Sequence, residues 1–430
     1  MDVLPLLIFA ALLAVNAPVA IAIAVGALVF FWDQTGLPMT IYAQRLVATS
    51  ESFPLVAIPM FTLAGVIMNH AGITTRLLNL AECLVGHMRG SLAQTNVVLA
   101  TLMGFESGSG NADAAMQSKL LGAQMIRRGY DPPFAAAVVA ASAVITPIIP
   151  PGLGFVIYGY LANVSVGRLF LAGLIPGLLL AIGLMLTTFF IARRKGYKAT
   201  RERMASPAEL FAAFRDAIWA LTVPVFIIVG LRHGLFTPTE AGAMIVIYSV
   251  LVGFLAYREL TWSALPEILT EAALATSAVM IIISAANAFG FYMTLEQLPT
   301  HAARFLTTLT ADPLVMLLIV NLFLLVLGMI LESLAALILV TPILAPVGLS
   351  LGIDPVHLGL IIVLNLTIGA ITPPVGTLMF IACGVLRVRI ADFSRAILPF
   401  LAVEVLVLLL TVLFPALALY LPNLTFGPGR

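Results

Sequence analysis

Hydrophobic positions along the chain come in long blocks, separated by short polar segments. Several blocks have the length of a membrane crossing, about 20 residues. Residues 3–31, 168–192 and 393–420 are the clearest, and 53–69, 132–160, 217–231, 239–257, 275–291 and 355–386 are further predicted crossings. The first block carries Asn16-Ala17-Pro18 in its middle, so it reads as one crossing or as two short helices. Two stretches differ. Residues 73–88 and 296–309 mix charges into a leucine-rich helical period, which suits amphipathic arms lying in the interface plane.

Two other apolar stretches are interrupted. Residues 91–127 break at GFESGSGNAD (104–113), and 312–349 break at GMILES (328–333). Each apolar arm before the break reads as too short to cross comfortably, which predicts two re-entrant hairpins. Irregular backbone at membrane depth survives only inside protein or beside a wet cavity. Two predicted crossings are also broken, at Thr146-Pro-Ile-Ile-Pro150-Pro151-Gly152 and at Thr372-Pro373-Pro374-Val-Gly376-Thr377. Proline removes an amide and blocks helix continuation, leaving carbonyls that a cation can satisfy. The amides at a half-helix start favour an anion.

The interruptions recur at one offset. Gly129, Asp131, Pro132, Pro150, Pro151, Phe170 and Pro176 each find the same residue type 223 positions later, at Gly352, Asp354, Pro355, Pro373, Pro374, Phe393 and Pro399. This predicts a duplicated unit. Three regions follow: 1–192 as a first repeat, 193–231 as a cytoplasmic loop and linking helix, and 232–430 as a second repeat. The first holds arm 73–88, hairpin 91–127, broken helix 132–160 and closing helix 168–192. The second holds arm 296–309, hairpin 312–349, broken helix 355–386 and closing helix 393–420.

Charge sets the orientation. With RRKGYKATRER (193–203) inside, fifteen Lys and Arg fall in inner segments and five in outer ones, with Lys119 in the first hairpin. The copies then face opposite ways, as in inverted-repeat transporters whose ligands bind near the midplane.

Composition narrows the classes. Of 430 residues, 61% are hydrophobic and 10% charged, with mean hydropathy +1.12 and net charge +1. A soluble chain carries about 25% charged residues. No basic patch interleaves with aromatics, so nucleic acid is not an expected partner; membrane lipid is. Cys83 and Cys383 make no metal or redox spacing. No basic region precedes the first apolar block, which argues against a cleaved signal peptide.

The motifs AIPMFTLAGVIMNHAGIT (57–74), RRGYDPPFAAAVVAAS (127–142), TPIIPPG (146–152), GLFTPTEAGA (234–243), GIDPVHLGLI (352–361) and NLTIGAITPPVG (365–376) lie in order over nearly the whole chain. So do LVGHMRGSLAQTNV (84–97), VSVGRLFLAGLIPGLLL (164–180) and LPFL (398–401). Together they resemble the large membrane subunit of the tripartite ATP-independent periplasmic (TRAP) transporters. The resemblance implies an all-α integral membrane protein of the bacterial inner membrane: an inverted-repeat, elevator-type transporter with two re-entrant hairpins and two broken helices. It implies Na⁺-coupled import of a small organic anion, such as a C4-dicarboxylate, a sialic acid or a keto acid. It also implies two partners, a periplasmic substrate-binding protein and a small four-helix membrane subunit, with this chain carrying only the large subunit. The first tip departs from the family pattern at Glu106 and Asn111, while Ser107, Gly108, Ser109, Ala112 and Asp113 match it.

Candidate site residues follow from the breaks. Ser107, Ser109 and Asp113 offer hard oxygens suited to Na⁺, although the same residues also cap helices. Gly108 and Asn111 complete that tip. Gly328, Thr372 and Gly376 are candidates for a second Na⁺. Thr146, Pro150, Glu332, Ser333, Asn365 and Thr377 are further substrate- or ion-binding candidates, with Asn365 alternatively an interhelical tie. Asp131 and Asp354 precede prolines and read as N-caps. Trp32, Trp219 and Trp262 read as interface anchors near span ends.

Three rival readings remain open. A stand-alone Na⁺ symporter of dicarboxylate or citrate type needs no binding protein. An intramembrane hydrolase built on Ser107 and Asp113 lacks a base other than Lys119. An ion channel would conduct without coupling.

Overall fold

A computed structural model describes residues 3–33, 37–106, 108–310 and 312–427. Among them the fold is all helical, and eight helical segments are long and apolar enough to cross a membrane. Proline occupies the first turn of many helices, where its missing amide costs nothing.

The first block forms two helices, α1 (Leu4–Ala14) and α2 (Val19–Asp33), parted at Asn16, whose φ is +62°. At 1.5 Å per residue they reach about 16 and 22 Å, short of a bilayer core of about 30 Å. They fold back on each other: a Cβ on Gly26 would lie 3.0 Å from the Pro5 carbonyl. Then come α3 (Met39–Ala48), α4 (Ala57–His70) and the amphipathic arm α5 (Ile73–Val85). The arm buries Ile73, Leu77, Leu80 and Ala81, while its Arg76 stacks on Tyr257 at 3.7 Å and pairs with Glu259 at 2.7 Å.

The first interrupted stretch is α6 (Ser91–Met103), a break, then α7 (Gly110–Gln117), a π-helical turn at Ser118–Gly122 and α8 (Ala123–Arg127). The first broken helix is α9 (Pro132–Ser142) and α10 (Leu153–Ala162), followed by the 30-residue α11 (Val166–Lys195). The span expected at 217–231 starts earlier, as α12 (Pro207–Arg232), because Ser206 and Glu209 form a capping box around Pro207. Trp219 therefore stands mid-helix rather than near an end. A second capping box, Thr237 with Glu240, starts α13 (Pro238–Leu251).

α14 (Leu265–Leu295) is longer than the expected 275–291 and leads to the second arm, α15 (Leu298–Leu309). The second interrupted stretch is α16 (Pro313–Ile330) and α17 (Ser333–Ser350), with only Leu331 and Glu332 between. Here an expectation is corrected. The 13-residue α6 is too short to cross, but α16 and α17, 18 residues each, are long enough by length and composition, because their apolar run continues to Ile330. The second broken helix is α18 (Pro355–Gly369) and α19 (Thr377–Leu386). The closing segment is two helices, α20 (Ile390–Leu413) and α21 (Ala416–Phe426), because Pro415 interrupts the single helix expected over 393–420.

Side-chain exposure matches a lipid solvent. Large apolar residues point outward on α12 (Phe211, Val225), α14 (Leu269, Leu274) and α16 (Leu322, Ile330), as lipid-facing surface must.

Cationic segments gather at one end. The backbone amides of Thr200 and Arg201 donate to the Gly86 carbonyl at 3.2 and 3.0 Å. Lys195 pairs with Asp131, and a Cβ on Gly122 would meet Leu386 at 2.9 Å. Asp131 is therefore an ion-pair partner whose side chain makes no cap bond, contrary to expectation: Lys195 holds its carboxylate. Asp354 does cap, accepting from the Val356 and His357 amides at 2.8 and 3.4 Å.

The two broken helices start at opposite ends. Asp131, before α9, sits beside Lys195 and Tyr197, where α11 finishes. The Pro355 carbonyl, starting α18, accepts from Tyr158 at 2.9 Å, near where α10 ends and α11 begins. α11, about 45 Å long, separates these places.

Candidate functional site

The tips of the two interrupted stretches meet the two helix breaks. On the first side, Ser109 caps α7, accepting from the Ala112 amide at 3.4 Å. This sets Asp113 in the first helical turn, 1% exposed, where its Oδ2 accepts from the Thr146 hydroxyl at 2.6 Å. Small residues permit the approach. A Cβ on Gly110 would sit 2.8 Å from the Ala143 carbonyl, and one on Gly108 2.5 Å from the Pro151 carbonyl. Gly108 also has φ +57°, a conformation that glycine adopts without strain. Ser107 lies outside the described residues.

The second side repeats the scheme. Glu332 caps α17, accepting from the Ala335 amide at 3.0 Å. Ser333 donates to the Leu366 carbonyl at 3.1 Å. Gly328 lies against α18, where a Cβ would meet the Leu366 carbonyl at 2.9 Å and Gly369 at 3.2 Å. A Cβ on Gly376 would lie 2.2 Å from the Ala370 carbonyl, and the amides of Leu378 and Met379 donate to that carbonyl at 2.9 and 3.3 Å. Gly328, Thr372 and Gly376 thus surround the turn at 369–372. The Thr372 hydroxyl donates back to Ile368 at 2.8 Å, leaving its oxygen as an acceptor.

Both sides share a cavity of about 300 Å³. Gly108, Ser109, Gly110 and Asn111 line it from the first tip, Glu332 and Ser333 from the second. Thr367 and Leu378 add a wall from the second break, and Ala278, Val279 and Ile282 of α14 close it. Asn111 donates to Glu332 Oε1 at 3.4 Å, so the tips touch across 221 positions of sequence. The starts of α7 and α17 both face this space, with their amide-rich, partially positive ends. No Lys or Arg lines it among the described residues.

Other predicted residues stand apart. Pro150 is buried in the first break, and Thr377 opens α19 with its hydroxyl unpartnered among the described residues; neither lines the cavity. Asn365 is fully buried, and its amide donates to the Asn321 carbonyl at 2.9 Å and to Asn321 Oδ1 at 2.6 Å. These bonds tie α18 to α16, while Asn365 Oδ1 has no partner among the described residues. Its counterpart escaped sequence reading: Asn96 of α6 donates to Ser142 of α9 at 2.6 Å. The signal was present, since Ser142 and Asn365 are 223 positions apart.

Among the described residues no three His, Cys, Asp or Glu side chains converge into a metal site, which fits neither zinc nor a transition metal. The oxygens around Asp113 and around the 369–372 turn are hard ligands of the kind that hold alkali or alkaline-earth ions.

Solved structures share the fold. The Alcanivorax borkumensis YdaH transporter superposes with a TM-score of 0.69, covering 95% of this chain and 97% of that one at 14% identity. Neisseria gonorrhoeae MtrF gives 0.61, with 99% and 96% covered, also at 14% identity. Sequence relatives are nearer. The sialic acid TRAP transporter large permease protein SiaM of Vibrio cholerae is 40% identical over 419 residues, covering 97% of this chain and 98% of that protein. The C4-dicarboxylate TRAP transporter large permease protein DctM of Pseudomonas aeruginosa is 39% identical over 381 residues, 89% of each. The isethionate TRAP transporter permease protein DctMQ of Oleidesulfovibrio alaskensis is 39% identical over 422 residues, and this chain spans 97% of itself but 66% of that longer protein. The family described as "Tripartite ATP-independent periplasmic transporter, DctM component" matches residues 6–417. The chain is therefore a multi-pass membrane permease that belongs to the DctM component family of the TRAP transporters.

Proposed function

We propose that the chain imports a small organic anion, a carboxylate or sulfonate of the kind its relatives' names record, in exchange for the energy of a Na⁺ gradient. The observation that carries this is the charge balance of the tip cavity. Two helix starts favour an anion there, yet Glu332 repels one, and no Lys or Arg offsets it among the described residues. Coulomb repulsion in a low-dielectric site is severe. A co-bound cation resolves it, and the hard-oxygen sets supply two places: Ser109 and Asp113, with Ser107 from the sequence, and Gly328, Thr372 and Gly376. Anion binding then depends on Na⁺, which is coupling.

In this reading the two halves are inverted repeats. The matched tips and the opposite starts of α9 and α18 support it. Both interrupted stretches are re-entrant hairpins, the second by its matching tip although α16 and α17 have the length to cross, and their tips, with the broken helices, form a transport unit that slides as an elevator against the remaining helices. The protein sits in the inner membrane, takes substrate from a periplasmic binding protein and is buttressed by a small four-helix subunit. Family membership supports these partners.

Proteoliposomes test the proposal. The chain is reconstituted alone and together with a TRAP periplasmic binding protein and small membrane subunit. Uptake of labelled sialic acid, succinate and isethionate is followed with and without an imposed Na⁺ gradient. Na⁺-dependent uptake only in the complete system is expected. Uptake by the chain alone would favour the stand-alone symporter, and uptake indifferent to Na⁺ would reject coupling.

A further inference from the structure

One buried charge has no part in the tip cavity. Glu106, at the first break, is 4% exposed. Its Oε1 accepts from the Thr74 hydroxyl at 3.4 Å, and the same hydroxyl reaches Asn69 Oδ1 at 3.3 Å. Its Oε2 has no hydrogen-bond partner among the described residues. One hydroxyl proton thus faces two acceptor oxygens, and the third, Glu106 Oε2, has no donor among the described residues. Glu106 lines a second cavity of about 210 Å³ together with Asn69, Asp113 and Glu271. Three carboxylates line it, with apolar residues between them and, among the described residues, no Lys or Arg. The neighbouring His70 is engaged with Glu271, at 3.3 Å on the rim. Ser109 lines both cavities, so this one reaches the tip from the other side.

A buried carboxylate without a counter-charge is strongly destabilised. A surplus of hard acceptors with nothing to accept calls for a cation. The carboxylates do not converge, so the site does not suit a tightly held divalent ion. About 210 Å³ has room for several waters beside an ion, at about 30 Å³ each. We propose that Glu106, with Thr74 and Asn69, holds an additional, partly hydrated monovalent cation, Na⁺, at the approach to Asp113. The inference rests on the Na⁺-coupled reading above.

The test counts ions. Equilibrium binding of radioactive Na⁺ is measured on the purified full chain in lipid nanodiscs, for the wild type, Glu106→Gln, Glu106→Asp and Asp113→Asn. Gln keeps the shape of a neutral acid and removes only the charge. Glu106→Gln is expected to bind one Na⁺ fewer per chain, and Glu106→Asp to keep the wild-type count at weaker affinity. Asp113→Asn is expected to lose an ion while the Glu106 equivalent persists. An unchanged count and affinity in Glu106→Gln, with loss in Asp113→Asn, overturns this site alone. A wild type that binds no Na⁺ overturns the coupling reading as well. Equal losses of thermal stability and binding in both Glu106 variants would assign the residue a structural role and also overturn the site.

Discussion

Asn111 reaches from the first tip to Glu332 of the second, with Nδ2 3.4 Å from Oε1. This contact joins the two halves across the cavity, and it tests whether the tips act together. Asn111→Ala should weaken Na⁺-driven uptake through affinity, raising the half-saturating substrate concentration about 5-fold, as for loss of a bond worth about 1 kcal/mol. Glu332→Gln keeps the cap on α17 but removes the charge, and should lower the Na⁺ dependence of binding. Unchanged transport in both variants would show that the tips work independently.

The Thr146–Asp113 bond makes a second case. Thr146→Val preserves shape and removes the donor held at 2.6 Å. Left without it, the buried carboxylate should shift the Na⁺ needed for half-maximal uptake about 5- to 10-fold, the effect of about 1–1.4 kcal/mol. Asp113→Ala should shift it further. Indifference to Na⁺ concentration in both would remove Asp113 from the ion site.

The tie between Asn321 and Asn365 should be structural. Asn321→Leu strands a buried amide and should lower thermal stability in detergent by about 0.6–2 kcal/mol, while the Asn321→Leu/Asn365→Leu pair should recover part of that loss. Equal loss of uptake without loss of stability would instead make Asn365 a ligand.

The Lys195 hydrogen bond and charge hold the Asp131 carboxyl below its ordinary range. A lowered folded pKa means stability present above the unfolded value of about 3.9 and lost as pH falls through the folded one. The wild-type advantage over Asp131→Asn in melting temperature should exist at neutral pH and shrink as pH falls below about 3.9. The pair is more than a third exposed, so the advantage is at most about 1 kcal/mol. A difference that does not shrink as the pH is lowered from neutral into the acid range would refute the ion-pair origin.

Inversion predicts sidedness. Cysteines at Arg128→Cys and Ser350→Cys should react with impermeant maleimide from opposite faces of right-side-out vesicles. The native Cys83 and Cys383 are buried and should stay silent. Labelling from the same face would reject the inverted arrangement.

Much of this was legible in sequence because matching positions recur at one offset. Ser109 and Glu332 are 223 positions apart, and each accepts from the amide three residues on, Ala112 and Ala335, also 223 apart. Aligning prolines exposed the offset; the caps themselves differ in residue type, so composition hid their equivalence. Asn96 and Asn321 were missed because a polar residue in an apolar helix does not name its partner until the helices pack. The start of α12 was missed because apolar density was weighed above the Ser206–Pro207–Glu209 signal. Asp131 and Asp354 look alike in sequence, yet only one caps, since Lys195 arrives from 64 residues away.

The two asparagine ties have a mechanical consequence. Asn96–Ser142 and Asn321–Asn365 weld each interrupted stretch to the broken helix of its own half. In the proposed elevator motion, each interrupted stretch would travel with its own broken helix, and the cavity between them would travel with both. Its remaining wall, Ala278, Val279 and Ile282 of α14, is aliphatic. A seam there would break no hydrogen bond from those side chains, which suits it to the proposed sliding motion.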